Sequence, residues 1–337
     1  MKVLNIGVVG TGDVAWHHVE CLRRWVPACN VVGVAGRSLE RTTMFAQQIG
    51  EGVVAYPSDV DLVSDPRIDA VIVATPGSAH EGSVIHALKA RKPVLCEKPL
   101  STTSAACQRI LLHEAEAGRR LVQVGFMRRY DPAFVDLRQA LDSGRIGSPL
   151  LFHSVHRNPA TGANFGFDMV FNDVLVHDVD VARWLFGDEV GSVTVHRVRT
   201  PVDGRDGFIA PLLVVCEMRN GAVADVEISV NAGYGYDIRA EVVGDRGVVE
   251  LAETARVHLK AEGAVHGSIA ADWRERFAPA FSRELREWVE AASAGTATGP
   301  SAWDGYMAAY IGEGALQSFE TGERVVLESR IPPPMYA

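Results

Sequence analysis

The sequence has few cysteines and no pattern among them. Cys21, Cys29, Cys96, Cys107 and Cys216 are an odd set without a Cys-x-x-Cys pair. That argues against a disulfide scaffold or a zinc ribbon, and a reducing cytoplasm is expected. Long hydrophobic runs are also missing. No stretch approaches the ~18 apolar residues of a spanning helix, and residues 1–7 lack the continuous apolar core of a secretory leader. Positive charge is in deficit, with 33 Lys and Arg against 42 Asp and Glu and a formal net charge of −9. An acidic surface repels phosphate backbones, so nucleic acid is a poor partner, and no polybasic run marks a membrane surface. There is no internal repeat and no low-complexity tract. What is present is ordinary globular composition, 47% apolar and 22% charged with 32 Gly and 16 Pro. At ~100–200 residues per domain, 337 residues call for two domains, each able to bury a core without staples.

The first ~125 residues alternate in period. Short apolar runs at 3–9, 31–35, 70–74, 93–96 and 121–124 alternate with amphipathic stretches at 14–25, 39–49, 78–90 and 103–117. Buried strands alternating with helices predict a parallel sheet covered on both faces. After Gly125 the style changes. Helices are expected over 132–143 and 172–186, and strands over 150–156, 190–198, 212–219, 222–231, 237–243, 247–251 and 256–259. Short links such as Asn220-Gly221 and Asp245-Arg246-Gly247 imply hairpins and an antiparallel sheet. Helices over 273–294 and 302–321 end the chain. The expected fold is α/β, a Rossmann domain over 1–125 followed by an α+β domain over 126–337 with a large, mostly antiparallel open sheet.

Gly10-Thr11-Gly12-Asp13-Val14-Ala15 lies in the first strand-to-helix turn. It is the G-x-G-x-x-A form of the dinucleotide fingerprint: glycines for a tight turn and close approach of a pyrophosphate, and a helix N-terminus offering free N–H groups. Gly10, Gly12, Asp13 and Val14 are the expected phosphate-loop contacts. The end of the second strand discriminates between nicotinamide cofactors, because NAD sites place a carboxylate there for the ribose 2′-OH. This chain reads Ala35-Gly36-Arg37-Ser38, with no carboxylate and with Arg37 and Ser38 able to hold a 2′-phosphate. The charge argument favours NADP over NAD, while Asp13, which adds negative charge to the loop, argues mildly the other way.

Candidate catalytic groups follow from position. Cys96-Glu97-Lys98-Pro99 ends a parallel strand, the edge at which ligands bind in open α/β sheets. An ammonium there stabilises a developing alkoxide, although the same lysine could be a surface group before a turn. Thr75-Pro76-Gly77-Ser78-Ala79-His80 ends the preceding strand and could line the cofactor, with Ser78 as a helix cap. Asp173 and His177, four apart on an expected helix among Val174, Leu175, Val176, Val179 and Val181, share one face. An imidazole can take a hydroxyl proton near neutral pH with a carboxylate to orient it. Asp178 and Asp180 fall on other faces and read as ordinary solvated polarity. His153 and His156 are three apart on a strand and so face opposite ways, and with no third ligand beside Asp173 and His177 no metal is expected. Arg128, His156, Asn158, Tyr234 and Tyr236 add donors and acceptors of the kind a polyhydroxylated substrate needs.

On the glycine loop, Glu97-Lys98-Pro99 and Asp173-x-x-x-His177, the chain resembles the Gfo/Idh/MocA oxidoreductase family over its whole length. Within that family it is similar to the inositol dehydrogenases, through residues 121–131, His156-Arg157-Asn158-Pro159 and Trp303-Asp304-Gly305-Tyr306. The resemblance implies a catalytic triad of Lys98, Asp173 and His177, with His177 the acid/base and Lys98 polarising the reacting oxygen. From their places at the strand ends, Thr75, Pro76, His80, Glu97 and Lys98 are the further expected cofactor contacts, and the resemblance implies polyol contacts from Arg128, His156, Asn158 and Tyr236 beside Asp173 and His177. It also implies a homodimer or homotetramer built on the open sheet face. Two positions depart from the pattern: Gly36 stands where NAD-dependent relatives carry an acid, and Val174 where the subgroup carries a hydroxyl. A different polyol or sugar, a ketosugar reductase working from NADPH, and a nucleotide sensor without turnover are the alternatives.

Overall fold

The computed structural model describes residues 3–162, 165–199, 208–252 and 258–336. Two compact units result, residues 1–130 with 279–310 and 330–337, and residues 131–278 with 311–329.

In the first unit, β1 (Leu4–Val9), β4 (Ala70–Val73), β5 (Val94–Glu97) and β6 (Val122–Gly125) are short apolar strands with almost every residue buried. With β2 (Cys29–Ala35) and β3 (Val54–Tyr56) they form a six-stranded sheet in the order β3-β2-β1-β4-β5-β6. Every neighbouring pair is parallel, so each crossover is covered by a helix. These are α1 (Asp13–Trp25), α2 (Leu39–Ile49), α3 (Asp59–Ser64), α4 (His80–Lys89) and α5 (Ser104–Ala117). Ser38, Ser58 and Thr103 start α2, α3 and α5 by accepting the N–H of Arg41, Asp61 and Ala106. The short β3 and α3 have too few residues for a periodic signal and were not anticipated. The strand order reverses between β1 and β4, which sets a ligand crevice beyond their carboxyl ends.

The second unit holds α6 (Pro132–Asp142), β7 (Pro149–Arg157), α7 (Leu175–Phe186), β8 (Val190–Arg197), β9 (Leu212–Met218), β10 (Val223–Ser229), β11 (Asp237–Gly244) and β12 (Val248–Glu250). A seven-stranded sheet runs β12-β11-β7-β10-β9-β8-β15, β15 being Val325–Val326. All neighbours are antiparallel except β10 with β7. Alternation sets its two faces. Phe152, Val214, Val226, Ile228 and Val242 are buried, and α7 packs on β7 and β10. The opposite face carries Leu151, Leu213 and the pairs Arg157–Glu227 and His153–Asp225. The strand expected over 256–259 begins outside the described residues, and β13 (His258–Ala261) pairs with β14 (Ala264–Gly267).

A single cut after residue 125 does not describe the compact units. The first continues to Tyr130 and takes back residues 279–310. The helical run α8 (Trp273–Ser293) is interrupted at Phe277 (φ −109°, ψ 16°), just before Pro279, and the division falls at this break. Proline removes an N–H and clashes with the preceding turn, so a helix interrupts there. The returning segment is stitched to β6: Val124 N–H donates to Pro300, Gln123 bridges Ser301, and Arg129 pairs with Asp304 at 2.9 Å. Next comes α9 (Ala302–Thr321).

Glu284 on α8 is fully buried and neither carboxyl oxygen has a hydrogen-bond partner. Burial, with the charges of Glu97 and Glu287, pushes its carboxyl well above 4.5. The folded chain then keeps a proton that the unfolded chain loses, so this group lowers stability progressively as pH rises above 4.5. Glu284→Gln is expected to melt at higher temperature than the parent, by a margin that widens from pH 5 to pH 8. Thermal unfolding across that range checks it, and a constant margin would contradict it.

Candidate active site

The glycine loop closes the crevice at the end of β1. Gly10 has φ +128°, and a Cβ there would stand 2.4 Å from the Ala74 carbonyl oxygen, so the position requires glycine. A Cβ at Gly12, by contrast, would meet nothing within 4 Å. Gly12 precedes α1 without a side-chain cap, leaving the first N–H groups of that helix for an anion. Asp13 is exposed in the first turn, beside half-buried Val14. This cradle fits a dinucleotide pyrophosphate.

At the end of β2 a Cβ on Gly36 would stand 2.9 Å from Thr42 Oγ1 and 3.0 Å from Thr11 Cγ2. Thr42 is itself fixed, fully buried and donating to the Ser38 carbonyl at 2.8 Å. An acidic side chain at 36 would therefore have to displace Thr11 or Thr42. Arg37 is exposed, and Ser38 accepts the Arg41 N–H as the cap of α2.

The loops after β4 and β5 are joined by His80. It is 1% exposed, and its Nδ1 and Nε2 each lie 2.7 Å from a carbonyl oxygen, of Pro99 and Thr75. Burial holds its pKa below the usual range against the pull of those two carbonyls. Each ring nitrogen faces a backbone carbonyl, and the neutral ring can donate to only one of the two, so His80 lies between the loops of Thr75, exposed Pro76 and Pro99. Lys98 is half-buried and joined to Pro99 by a cis peptide. Glu97 is buried, with Oε1 2.6 Å from His18 Nε2 and Oε2 accepting the Lys98 N–H at 3.1 Å. Burial raises its carboxyl, but His18 and Lys98 outweigh that and hold it below the usual range.

In the second unit, Asp173 lies in a π-helical turn, Val170–Val174, that runs into α7 at Leu175. The i,i+4 α-helical face expected for Asp173 and His177 is therefore modified. Such wide turns recur at functional sites. Val174 is 3% exposed and belongs to the core. The rings of His156 and His177 are 6.1 Å apart, and Tyr236 stands edge-on to His156 at 6.2 Å. Half-buried Asn158 extends β7, its N–H donating to Ser229. Arg128 belongs to the first unit, in a turn over Met127–Tyr130, and is 1% exposed. Lys98 is also in the first unit, and Asp173 and His177 in the second.

Asp178 and Asp180 are not solvated surface polarity. Both are fully buried. Asp178 accepts Ser154 Oγ at 2.8 Å through one oxygen and meets His156 Nδ1 at 2.7 Å through the other. A buried carboxylate so placed fixes the imidazole's orientation and tautomer. The signal was present in the sequence: α7 is apolar nearly all round, and a helix of that kind is buried, so each of its carboxylates needs a partner. His153 pairs with Asp225 on the other sheet face, as the odd spacing requires. Among the described residues no helix is long and apolar enough to cross a membrane.

Known proteins align with the whole chain. The model of an oxidoreductase family with an NAD-binding Rossmann fold, GFO_IDH_MocA, matches residues 4–126, and its C-terminal alpha/beta domain matches 138–327. Inositol 2-dehydrogenase 1 of Saccharopolyspora erythraea is 44% identical over 99% of each chain. The structure of myo-inositol dehydrogenase from Lactobacillus casei in complex with NAD(H) and myo-inositol superposes with a TM-score of 0.96 at 33% identity, covering 100% of both chains. That of scyllo-inositol dehydrogenase from the same organism, with NAD(H) and scyllo-inositol, gives 0.88 at 25% identity over 96% of this chain and 99% of the other.

Proposed function

The chain belongs to the Gfo/Idh/MocA family of NAD-binding oxidoreductases, and from this we propose that it oxidises a secondary hydroxyl of a cyclic polyol, myo-inositol to scyllo-inosose. The observation that carries the reading is the gathering of His177, His156 and Tyr236 in the second unit, with His156 held by buried Asp178. Rigid donors and acceptors from separate elements are what recognition of a many-hydroxyl ring needs. The first unit would hold the dinucleotide and carries Lys98 and Arg128, and the second carries the other proposed substrate groups.

In this mechanism His177 takes the proton of the reacting hydroxyl, with Asp173 orienting it. To Lys98 we assign the polarising role, because an ammonium stabilises the negative charge that develops on a reacting oxygen. A nicotinamide dinucleotide, which the Gly10–Val14 loop would hold, would supply the hydride acceptor, so that loss of the hydroxyl proton and of the carbon's hydride turns C–OH into C=O. Arg128, Asn158 and Tyr236 grip other hydroxyls. His177→Asn is expected to abolish turnover while leaving dinucleotide affinity within about twofold, because the dinucleotide cradle lies elsewhere. Fluorescence titration beside the rate assay checks it, and lost nucleotide binding would contradict the role.

NADP is the cofactor we favour over NAD. Gly36 lacks the carboxylate, its surroundings crowd any side chain, and Arg37 is exposed for a 2′-phosphate. The same argument supports the second reading, reduction of a ketosugar with NADPH. Initial rates on myo-inositol are expected to be higher with NADP than with NAD. Arg37→Ala should cost kcat/KM about 10–100-fold with NADP and little with NAD, the worth of a charge-assisted hydrogen bond. Equal losses with both would remove Arg37 from cofactor selection.

We propose that the polyol oxidation takes place in the cytoplasm, a compartment in which free cysteines such as these five stay reduced. A homodimer or homotetramer is proposed on the open face of the seven-stranded sheet, where Leu151 and Leu213 are exposed. Leu213→Glu is expected to lower the mass measured by light scattering, and an unchanged mass would place the interface elsewhere.

A further inference from the structure

His18 and Glu97 form a buried pair that the proposed chemistry does not itself use. His18 sits on α1, the helix that opens from the glycine loop, and is fully buried. Its Nε2 lies 2.6 Å from Glu97 Oε1, and the Phe281 ring stands edge-on to it at 5.9 Å. The other Glu97 oxygen accepts the backbone N–H of Lys98 at 3.1 Å. Room for this carboxylate comes from β6, where Glu97 is opposite Gly125. A Cβ on Gly125 would stand 3.2 Å from both Glu97 Cδ and Oε2. On the far side of Lys98, the Pro99 carbonyl is held by His80 Nδ1 at 2.7 Å.

Burying a carboxylate against an imidazole is a poor source of stability, because apolar residues of the same volume often serve as well. This pair must bury a carboxylate within electrostatic reach of Glu284, whose own carboxyl burial pushes well above its usual range. Its distinctive property is what it connects: the helix that carries the dinucleotide loop and the backbone of the reacting lysine, both within the first unit. We infer that His18 and Glu97 are positioning residues, His18 fixing the Glu97 carboxylate and the carboxylate fixing the Lys98 backbone so that the ammonium is in register with the dinucleotide. This rests on the reading of Lys98 as the group that polarises the reacting oxygen. A misplacement of about 1 Å at such a group costs up to ~100-fold in rate.

The test uses the full chain with myo-inositol and its preferred dinucleotide. His18→Ala is expected to lower kcat about 10–100-fold while KM for myo-inositol and dinucleotide affinity stay within about twofold. His18→Gln, whose amide N–H can still reach Glu97, is expected to recover most of the loss. If His18→Ala does not fold, His18→Asn, whose amide stops short of Glu97, replaces it. An unchanged kcat, a fall in dinucleotide affinity that matches the fall in kcat, or a Gln variant no better than Ala would each overturn the inference. Lys98→Ala is assayed beside them. Turnover that survives Lys98→Ala would instead overturn the role given to Lys98 itself.

Discussion

Taking a carboxylate out of water costs several kcal/mol unless something positive or hydrogen-bonding meets it, or it keeps its proton. Each unit places an imidazole against a buried carboxylate: His18 against Glu97 in the first, His156 against Asp178 in the second. Each carboxylate also accepts a second bond, from the Lys98 N–H in one case and from Ser154 in the other. In this geometry neither partner can rotate without stranding the other, so the rings and backbone they hold are fixed before any ligand arrives. Glu284, with neither oxygen hydrogen-bonded, shows the other response, a carboxyl that burial pushes well above its usual range. The side chains proposed to act on substrate lie beside these polar cores in sequence, Lys98 next to Glu97 and His177 next to Asp178.

Pattern alone made much of the architecture legible. The parallel sheet of the first unit follows from apolar runs too short and too continuous for helices, each followed by an amphipathic stretch. The hairpins at Asn220-Gly221 and Asp245-Arg246-Gly247 followed from turn chemistry. Less legible was which segments pack together. The return of residues 279–310 to the first unit leaves only Pro279 as a local mark. A proline says that a helix breaks, not where the chain goes next.

The candidate site divides in the same way. The glycine loop was legible because the requirement is local: Gly10 adopts φ +128° against the Ala74 carbonyl. Crowding of Gly36 by Thr11 and Thr42 was not, since it depends on a loop and a helix meeting. Asp178 was misread for a related reason. Its place on the helix separated it from the Asp173–His177 stripe, but its partners Ser154 and His156 come from a strand more than twenty residues earlier. The π-helical turn at Asp173 carries no sequence mark that separates it from α-helix.

The interrupted first unit has a consequence for synthesis. When residues 1–130 have left the ribosome, β6 lies at the edge of its sheet, and the segment that meets it at Gln123 and Val124 is still about 170 residues from being made, roughly ten seconds or more at ordinary rates of synthesis. During that interval the edge presents unpaired backbone groups of the kind that recruit foreign strands. The second unit's long sheet is translated almost entirely before the first can close. Order of synthesis and order of completion are therefore inverted in this chain, and its most exposed moment comes before the residues near 300 emerge.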